Sequence, residues 1–453
     1  MTAFSWLATA LLALTAASAN TLNFSVVYQW NKIDYAWPTD SSKAQALSLG
    51  RYQPEHNAPA GLAVLGQRVF VSVPRYLQGV PSTLNWLPSN GASSTSPKLH
   101  PFPSWDMQGI GNCSALQNVF GLEVDSHGRL WAVDAGRLFT RKNQRRSDLD
   151  KCPPKLLIFD LNNNNSIELR YEFPEDVVSR NSSLLSDLVL DKTSDDWLAY
   201  ISDASGHIIV FSLGKKKSWR VQHPSMLAAQ PEHEPLPLGR DLGVSGLALS
   251  PLNDRTFLYF STLSSPELFS VPVSELRAGS DKLTVKSVGT KSAPSRGMSM
   301  DNKGLMYFGL LGKQSVATWD TKFSFREELV FEDKEVLQWP DTFAFDASDN
   351  LWLIANKLQA LLQRKLNLDE TNFRLIKAAH FARHRHVVVI RLGHRFLLLR
   401  TPPVKHHRRT YNQLLLSDTL EVLKPENSDS EEGETDWLER ALREEGPNGA
   451  PVS

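Results

Sequence analysis

One strand–turn–strand unit is written again and again along this chain. Its clearest copy is Phe120-Gly-Leu-Glu-Val-Asp-Ser-His-Gly-Arg-Leu-Trp-Ala-Val-Asp-Ala-Gly136. Leu122 and Val124, then Leu130 to Val133, alternate with the period of two that half-buried strands require. Between them Asp125-Ser126-His127-Gly128 has tight-turn composition, with Gly128 able to supply the positive φ of a hairpin. Five more copies can be laid beside it: Gly61-Leu-Ala-Val into Arg68–Val73, Asp187-Leu-Val-Leu into Leu198–Asp203, Gly246-Leu-Ala-Leu into Phe257–Ser261, Gly297-Met-Ser-Met into Leu305–Gly309, and Thr342-Phe-Ala-Phe into Leu351–Ala355.

A period of roughly 45–65 residues with paired strands inside each unit is the signature of a blade array. Most units continue into a third apolar run, as in Lys155–Asp160, His207–Phe211 and Glu267–Val271. The spacing leaves room for a fourth strand, so the expected fold is all-β, a six-bladed β-propeller, whose radial repetition leaves only short sheet edges. A β-sandwich has similar strand content but needs no such repeat. Phe24–Trp30 is a strand outside the six pairs, placed to complete a blade begun at the other end of the chain. Pro88–Pro103, rich in Ser and Pro, reads as a long surface loop, and the first strand of each unit is expected innermost.

Residues Met1–Ala19 are apolar and end in Ala17-Ser18-Ala19, a small-x-small cleavage pattern. No Lys or Arg precedes Lys32, so the usual basic start is missing, and a membrane anchor is the competing reading. Residues 1–19 are read as a signal peptide and 20–379 as the propeller, giving a secreted, extracellular protein with no membrane attachment after cleavage. An oxidising compartment would permit Cys113 and Cys152, the two cysteines, to pair. Such a bridge would close a loop of roughly forty residues and contribute about 4 kcal/mol; two separate buried thiols are the alternative. Secretion also gives meaning to the N-x-Ser sequons at Asn23, Asn112, Asn164 and Asn181.

Beyond the repeat the character changes. Residues 380–453 form a basic, then acidic, extension read as poorly ordered. Its histidines (His380, His384, His386, His394, His406 and His407) match no standard ligand spacing and have Lys and Arg neighbours, so no metal is expected. Lys plus Arg number 49 against 49 Asp plus Glu, a balance that gives no reason to expect a nucleic-acid partner. No Gly-x-Ser-x-Gly elbow, His-Glu-x-x-His or Gly-rich phosphate loop occurs, and no cofactor is expected.

Several co-linear motifs carry a resemblance. Asn112-Cys-Ser, Gly121-Leu-Glu-Val-Asp-x-x-Gly-Arg-Leu-Trp-x-Val-Asp-x-Gly136, Cys152-Pro-Pro-Lys-Leu-Leu-Ile-Phe-Asp-Leu161, Trp339-Pro-Asp-Thr-Phe343 and Asn350-Leu-Trp-Leu-Ile-Ala-Asn-Lys-Leu-Gln359 resemble the Yellow/major royal jelly protein family of arthropods, over roughly Val26 to Ile376. That resemblance implies a secreted propeller and a place among cuticle pigmentation proteins, dopachrome-converting proteins, royal jelly proteins and salivary amine binders. In the amine binders the ligand lies in the central channel against a Thr and an Asn-x-aromatic segment. Thr342 and Asn356 match those places, while Leu358 stands where the aromatic would be. His127 stands where many members carry a further Cys.

Ligand sites in a propeller gather at one channel mouth, where the inner strands and their loops converge. Glu123 or Asp134 could pair with an ammonium there, and Thr342 or Asn356 could hydrogen-bond a ring substituent. Asp203 and Ser261 occupy comparable places, although Asp at a strand end commonly caps its own turn. Dopachrome conversion needs only proton transfer, for which a carboxylate or histidine suffices. His127 and His207 qualify by residue type alone, so no catalytic base is identified. Binding of a small amine or catechol in pigmentation is the leading expectation. A dopachrome-converting enzyme is the alternative, and a storage or structural role comes third.

Overall fold

Apolar runs such as Leu351–Asn356 and Arg129–Asp134 are buried along their whole length, which a strand achieves only when sheets cover both of its faces. The computed structural model describes residues 22–91, 94–138, 152–228 and 242–380, together with the backbone of 386–392 and 395–401. Within the larger unit the strands form six antiparallel blades. Blade 1 comprises Leu62–Leu65, Arg68–Ser72, Leu84–Pro88 and His100–Pro101. Blade 2 comprises Val119–Val124, Arg129–Asp134, Lys155–Asp160 and Ser166–Glu172; blade 3, Leu185–Lys192, Trp197–Asp203, His207–Ser212 and Lys217–Val221. Blade 4 comprises Val244–Leu249, Phe257–Thr262, Glu267–Pro272 and Lys286–Thr290; blade 5, Met298–Met300, Leu305–Leu310, Ser315–Asp320 and Glu328–Glu332. Blade 6 takes Trp339–Phe345, Leu351–Asn356 and Phe373–His380 from one end of the chain and Leu22–Trp30 from the other.

The first strands of successive blades touch one another in a closed ring, so the expected innermost position is the observed one. Second and third strands pack between neighbouring blades and supply most of the core, with Trp131, Phe159, Phe211, Phe260 and Trp352 almost fully buried. Outer strands are wet: Ser166–Glu172 alternates charged and apolar residues and is exposed over most of its length, which blunts the edge. The repeat's Asp explains the hairpins. Asp125 Oδ1 accepts from the amides of His127 (2.9 Å) and Arg129 (3.0 Å), while Oδ2 accepts from Trp131 Nε1 at 2.8 Å. Asp346 does the same for Ser348, Asn350 and Trp352. One carboxylate thus satisfies the turn's amides and anchors the next strand's indole.

Cys113 and Cys152 are joined, tying the entry of blade 2 to its third strand. Pro88–Pro103 departs from its reading as a loop. Ser94–Thr95 pairs in parallel with the N-terminal strand, and His100–Pro101 forms the outer edge of blade 1, where the His100 ring lies 5.0 Å from that of Trp86. Tertiary pairing overrides a turn-like composition here. The third strand of blade 6 runs through His380, one residue past the expected boundary. Residues 381–453 belong to a separate unit, in which His386–Leu392 and Arg395–Thr401 pair as an antiparallel hairpin. The expected signal peptide over residues 1–19, the acidic segment and the side chains of the histidine-rich tract lie outside the described residues. Among the described residues no helix is long and apolar enough to cross a membrane.

Candidate functional site

The inner strands start irregularly. In blades 2, 3, 4 and 6 the pairing slips between Val119 and Leu122, Leu185 and Leu188, Val244 and Gly246, and Pro340 and Thr342. Such bulges re-aim side chains, and here they sit at one end of the channel. That end is a small recess, partly open to solvent, lined by Gly61, Phe120, Gly121, Ser186, Asp187, Arg296, Gly297 and Thr342.

Superposing the six copies of the repeat explains the lining. The first position is Gly61, Gly121, Gly246 and Gly297 in four copies, but Asp187 and Thr342 in the other two. Glycine is required where inner strands meet: a Cβ on Gly61 would fall 2.0 Å from the Phe120 carbonyl oxygen, and one on Gly297 2.0 Å from that of Asp341. Blades 3 and 6 therefore contribute the functional groups to a ring otherwise kept narrow. One residue earlier four of the six copies carry the polar residues Ser186, Ser245, Arg296 and Asp341, the other two having Ala60 and Phe120.

These polar residues form a network. Arg296 Nη1 bonds Asp341 Oδ1, and Arg296 Nη2 donates to Tyr76 Oη at 3.3 Å. Asn356 Nδ2 donates to Asp341 Oδ2 (2.7 Å) and to the Pro59 carbonyl (2.8 Å), while its Oδ1 accepts from the Leu358 amide at 3.0 Å. Asn356 is 1% exposed, so its amide supports Asp341 from behind. Asp187 accepts from the Leu188 amide at 2.9 Å and the Leu247 amide at 3.0 Å, bridging blades 3 and 4. Burial lifts its carboxyl to about 7, against the pull of those two amides and of Arg296. Glu123 lies two residues beyond Gly121 on the same strand face. Burial, and then the charge of Asp187, push it up to about 8, with Arg255 opposing. Both side chains keep some exposure. A carboxyl that titrates near neutrality can give up or accept a proton without a strong acid or base.

The remaining candidates fall elsewhere. Asp134 is fully buried: it accepts from the amides of Gln117, Asn118 and Gly136, each at 2.8 Å, and pairs with Lys155 Nζ at 3.0 Å. Asp203 likewise caps its turn through the amides of Leu184 and Ser205. Ser261 Oγ is buried against Met298 Sδ. His127 is exposed on the hairpin at the far end of its strand, against Trp197. His207 contacts Ser205 Oγ through Nδ1 at 3.3 Å. Leu358 is buried in the hydrophobic core. Thr342 is the residue of the expected ligand set that lines the recess with some exposure. Asp187, Arg296 and Asp341 had not been singled out; the signal was a polar residue at, or just before, the place where four copies carry glycine. Asn23, Asn112, Asn164 and Asn181 are all exposed.

A family profile described as "Major royal jelly protein" matches residues 117–388, more than half of the chain. The protein named Protein yellow of Drosophila yakuba is 29% identical over 396 residues, covering 82% of this chain and 72% of that one. The Drosophila melanogaster protein of the same name matches at the same identity and coverage. Among solved structures, a luciferin-regenerating enzyme covers 74% of this chain and 94% of its own at 12% identity, with a TM-score of 0.44.

Proposed function

The chain belongs to the major royal jelly protein family, and from that premise we propose that it is a secreted protein of cuticle pigmentation and the melanin pathway that binds a small amine or catechol in its central channel. The observation that carries this reading is the pair Asp187 and Thr342, which stand at the position where the other four copies carry glycine and which both retain exposure in the recess. An acidic group and a hydroxyl on opposite sides of a narrow polar recess suit a ligand with an ammonium at one end and a ring hydroxyl at the other. The Cys113–Cys152 bridge and the exposed sequons support secretion and glycosylation. Calorimetric titration with dopamine, serotonin and dopachrome tests the reading. Saturable binding that weakens in Thr342→Ala and Asp187→Asn is expected, and absence of saturable binding to wild-type protein would refute it.

A second reading is supported by a separate observation. Glu123 and Asp187 titrate near neutrality, where a general acid or base for dopachrome conversion is most effective. Following dopachrome absorbance alongside the calorimetry separates the two. Decay above the buffer rate that disappears in Glu123→Gln would make the protein an enzyme; binding without accelerated decay would make it a carrier or sequestering protein.

A further inference from the structure

The charges along the channel do not balance. Its carboxylates on the inner strands are Asp341 from blade 6, Glu123 from blade 2, and Asp187 and Asp191 from blade 3. Arg296, preceding the inner strand of blade 5, is bound to Asp341 and Tyr76. At the other end Arg277 donates to Asp191 through Nε and Nη2 at 2.9 and 3.0 Å, with Tyr200 Oη at 2.7 Å and Arg255 Nε at 3.6 Å. Blade 1 contributes Tyr76, a phenol that burial holds in its neutral form. Four carboxylates thus face three guanidiniums, each guanidinium directly paired with Asp341 or Asp191, so that Arg296 acts on Asp187 and Arg255 on Glu123 only through space. The two carboxyls left over, Glu123 and Asp187, stand on adjacent inner strands packed closely enough that a Cβ on Gly121 would lie 3.0 Å from the Asp187 carbonyl carbon.

We propose that Glu123 and Asp187 hold one proton between them in the empty channel, and that a cationic amine entering the recess displaces that proton to solvent. The exchange is balanced: one ammonium enters, one proton leaves, the channel's net charge is unchanged, and no bond to the ligand forms or breaks. Two like-charged carboxylates in a low-dielectric setting cannot both ionise without a counter-cation. This inference rests on the reading of the channel as an amine site and deepens it. It assigns the ligand to the cationic amines rather than to neutral catechols, and it makes capture tighter as pH rises toward 8 and release easier in acid.

The sign for stability follows from the same pair. In the unfolded chain Glu123 ionises near its ordinary 4.5, while in the native protein it stays protonated up to about 8. The native state therefore holds the extra proton across that window, and stability falls as pH rises through it.

Full-length secreted protein at pH 7 is titrated with dopamine, and with catechol, in two buffers of different protonation enthalpy. Dopamine binding is expected to release about one proton, catechol to release none and bind more weakly, and Glu123→Gln and Asp187→Asn each to abolish the release. Dopamine binding with no proton release, or with release unchanged in both variants, overturns the proposal. Should dopamine fail to bind wild-type protein, urea melts from pH 5 to 8 decide what falls. A stability slope present in wild type and reduced in Glu123→Gln retains the shared proton and sinks the amine reading. Equal slopes sink the shared proton as well.

Discussion

Asp187 and Asp191 lie four residues apart on one face of one strand, yet they do opposite work. Asp191 is fully buried and collects two guanidiniums and a tyrosine hydroxyl. Asp187 receives two backbone amides, keeps some exposure, and has its carboxyl raised to about 7. The identity of the residue therefore says little about its role. What decides it is whether the fold supplies a cation. With a directly paired one, as Asp191 has in Arg255 and Arg277, a buried carboxylate becomes a fixed strut; with only the distant pull of Arg296, the carboxyl of Asp187 stays raised and, on our proposal, open to a cation from outside.

Substitutions can break this contrast from either side. The largest effect is expected from Asp191→Asn, which leaves Arg255 and Arg277 facing each other without their counter-ion; a loss of about 3 kcal/mol should appear in urea denaturation. Gly297→Ala comes next. Its Cβ would press on the Asp341 carbonyl and the Thr342 Cα, backbone that cannot swing aside, at a cost of about 2 kcal/mol by the same measurement. Asp187→Asn should leave unfolding at pH 7 no easier than in wild type, yet weaken dopamine about tenfold in calorimetry. The smallest effect is expected from Thr342→Ala, about 1 kcal/mol of affinity with no change in proton release. If Asp187→Asn unfolds the protein as Asp191→Asn does, the distinction between strut and receptor is lost.

The fold was legible because its information is local and repeated. Each copy of the unit carries its own turn Asp, its own alternation and its own buried strand, so six weak signals reinforce one another. Pro88–Pro103 was missed as a blade edge because nothing in its composition announces pairing that other strands impose. The site was half legible. Glu123 stood out as a charge within an apolar strand, and Thr342 through the family resemblance. Asp134 drew attention for its place at a strand end, where three amides and Lys155 now account for it. Asn356 matched the resemblance, but its amide is committed to Asp341, Pro59 and Leu358. Arg296 and Asp341 come from different blades, and their pairing depends on how the ring closes, which no single repeat encodes.

That closure governs the order of events during synthesis. Leu22–Trp30 pairs with Phe373–His380, its partner lying some 350 residues later in the chain. The strand that leaves the ribosome first must wait, with one edge unpaired, until nearly the whole propeller has been made. During that interval blade 6 is unfinished, and the channel has no sixth side. Contacts of such long sequence separation form late and slowly. A nascent chain halted before Phe373 would therefore expose an unpaired strand at its start and an unclosed ring at its centre, the kind of partly folded state that is prone to misassembly.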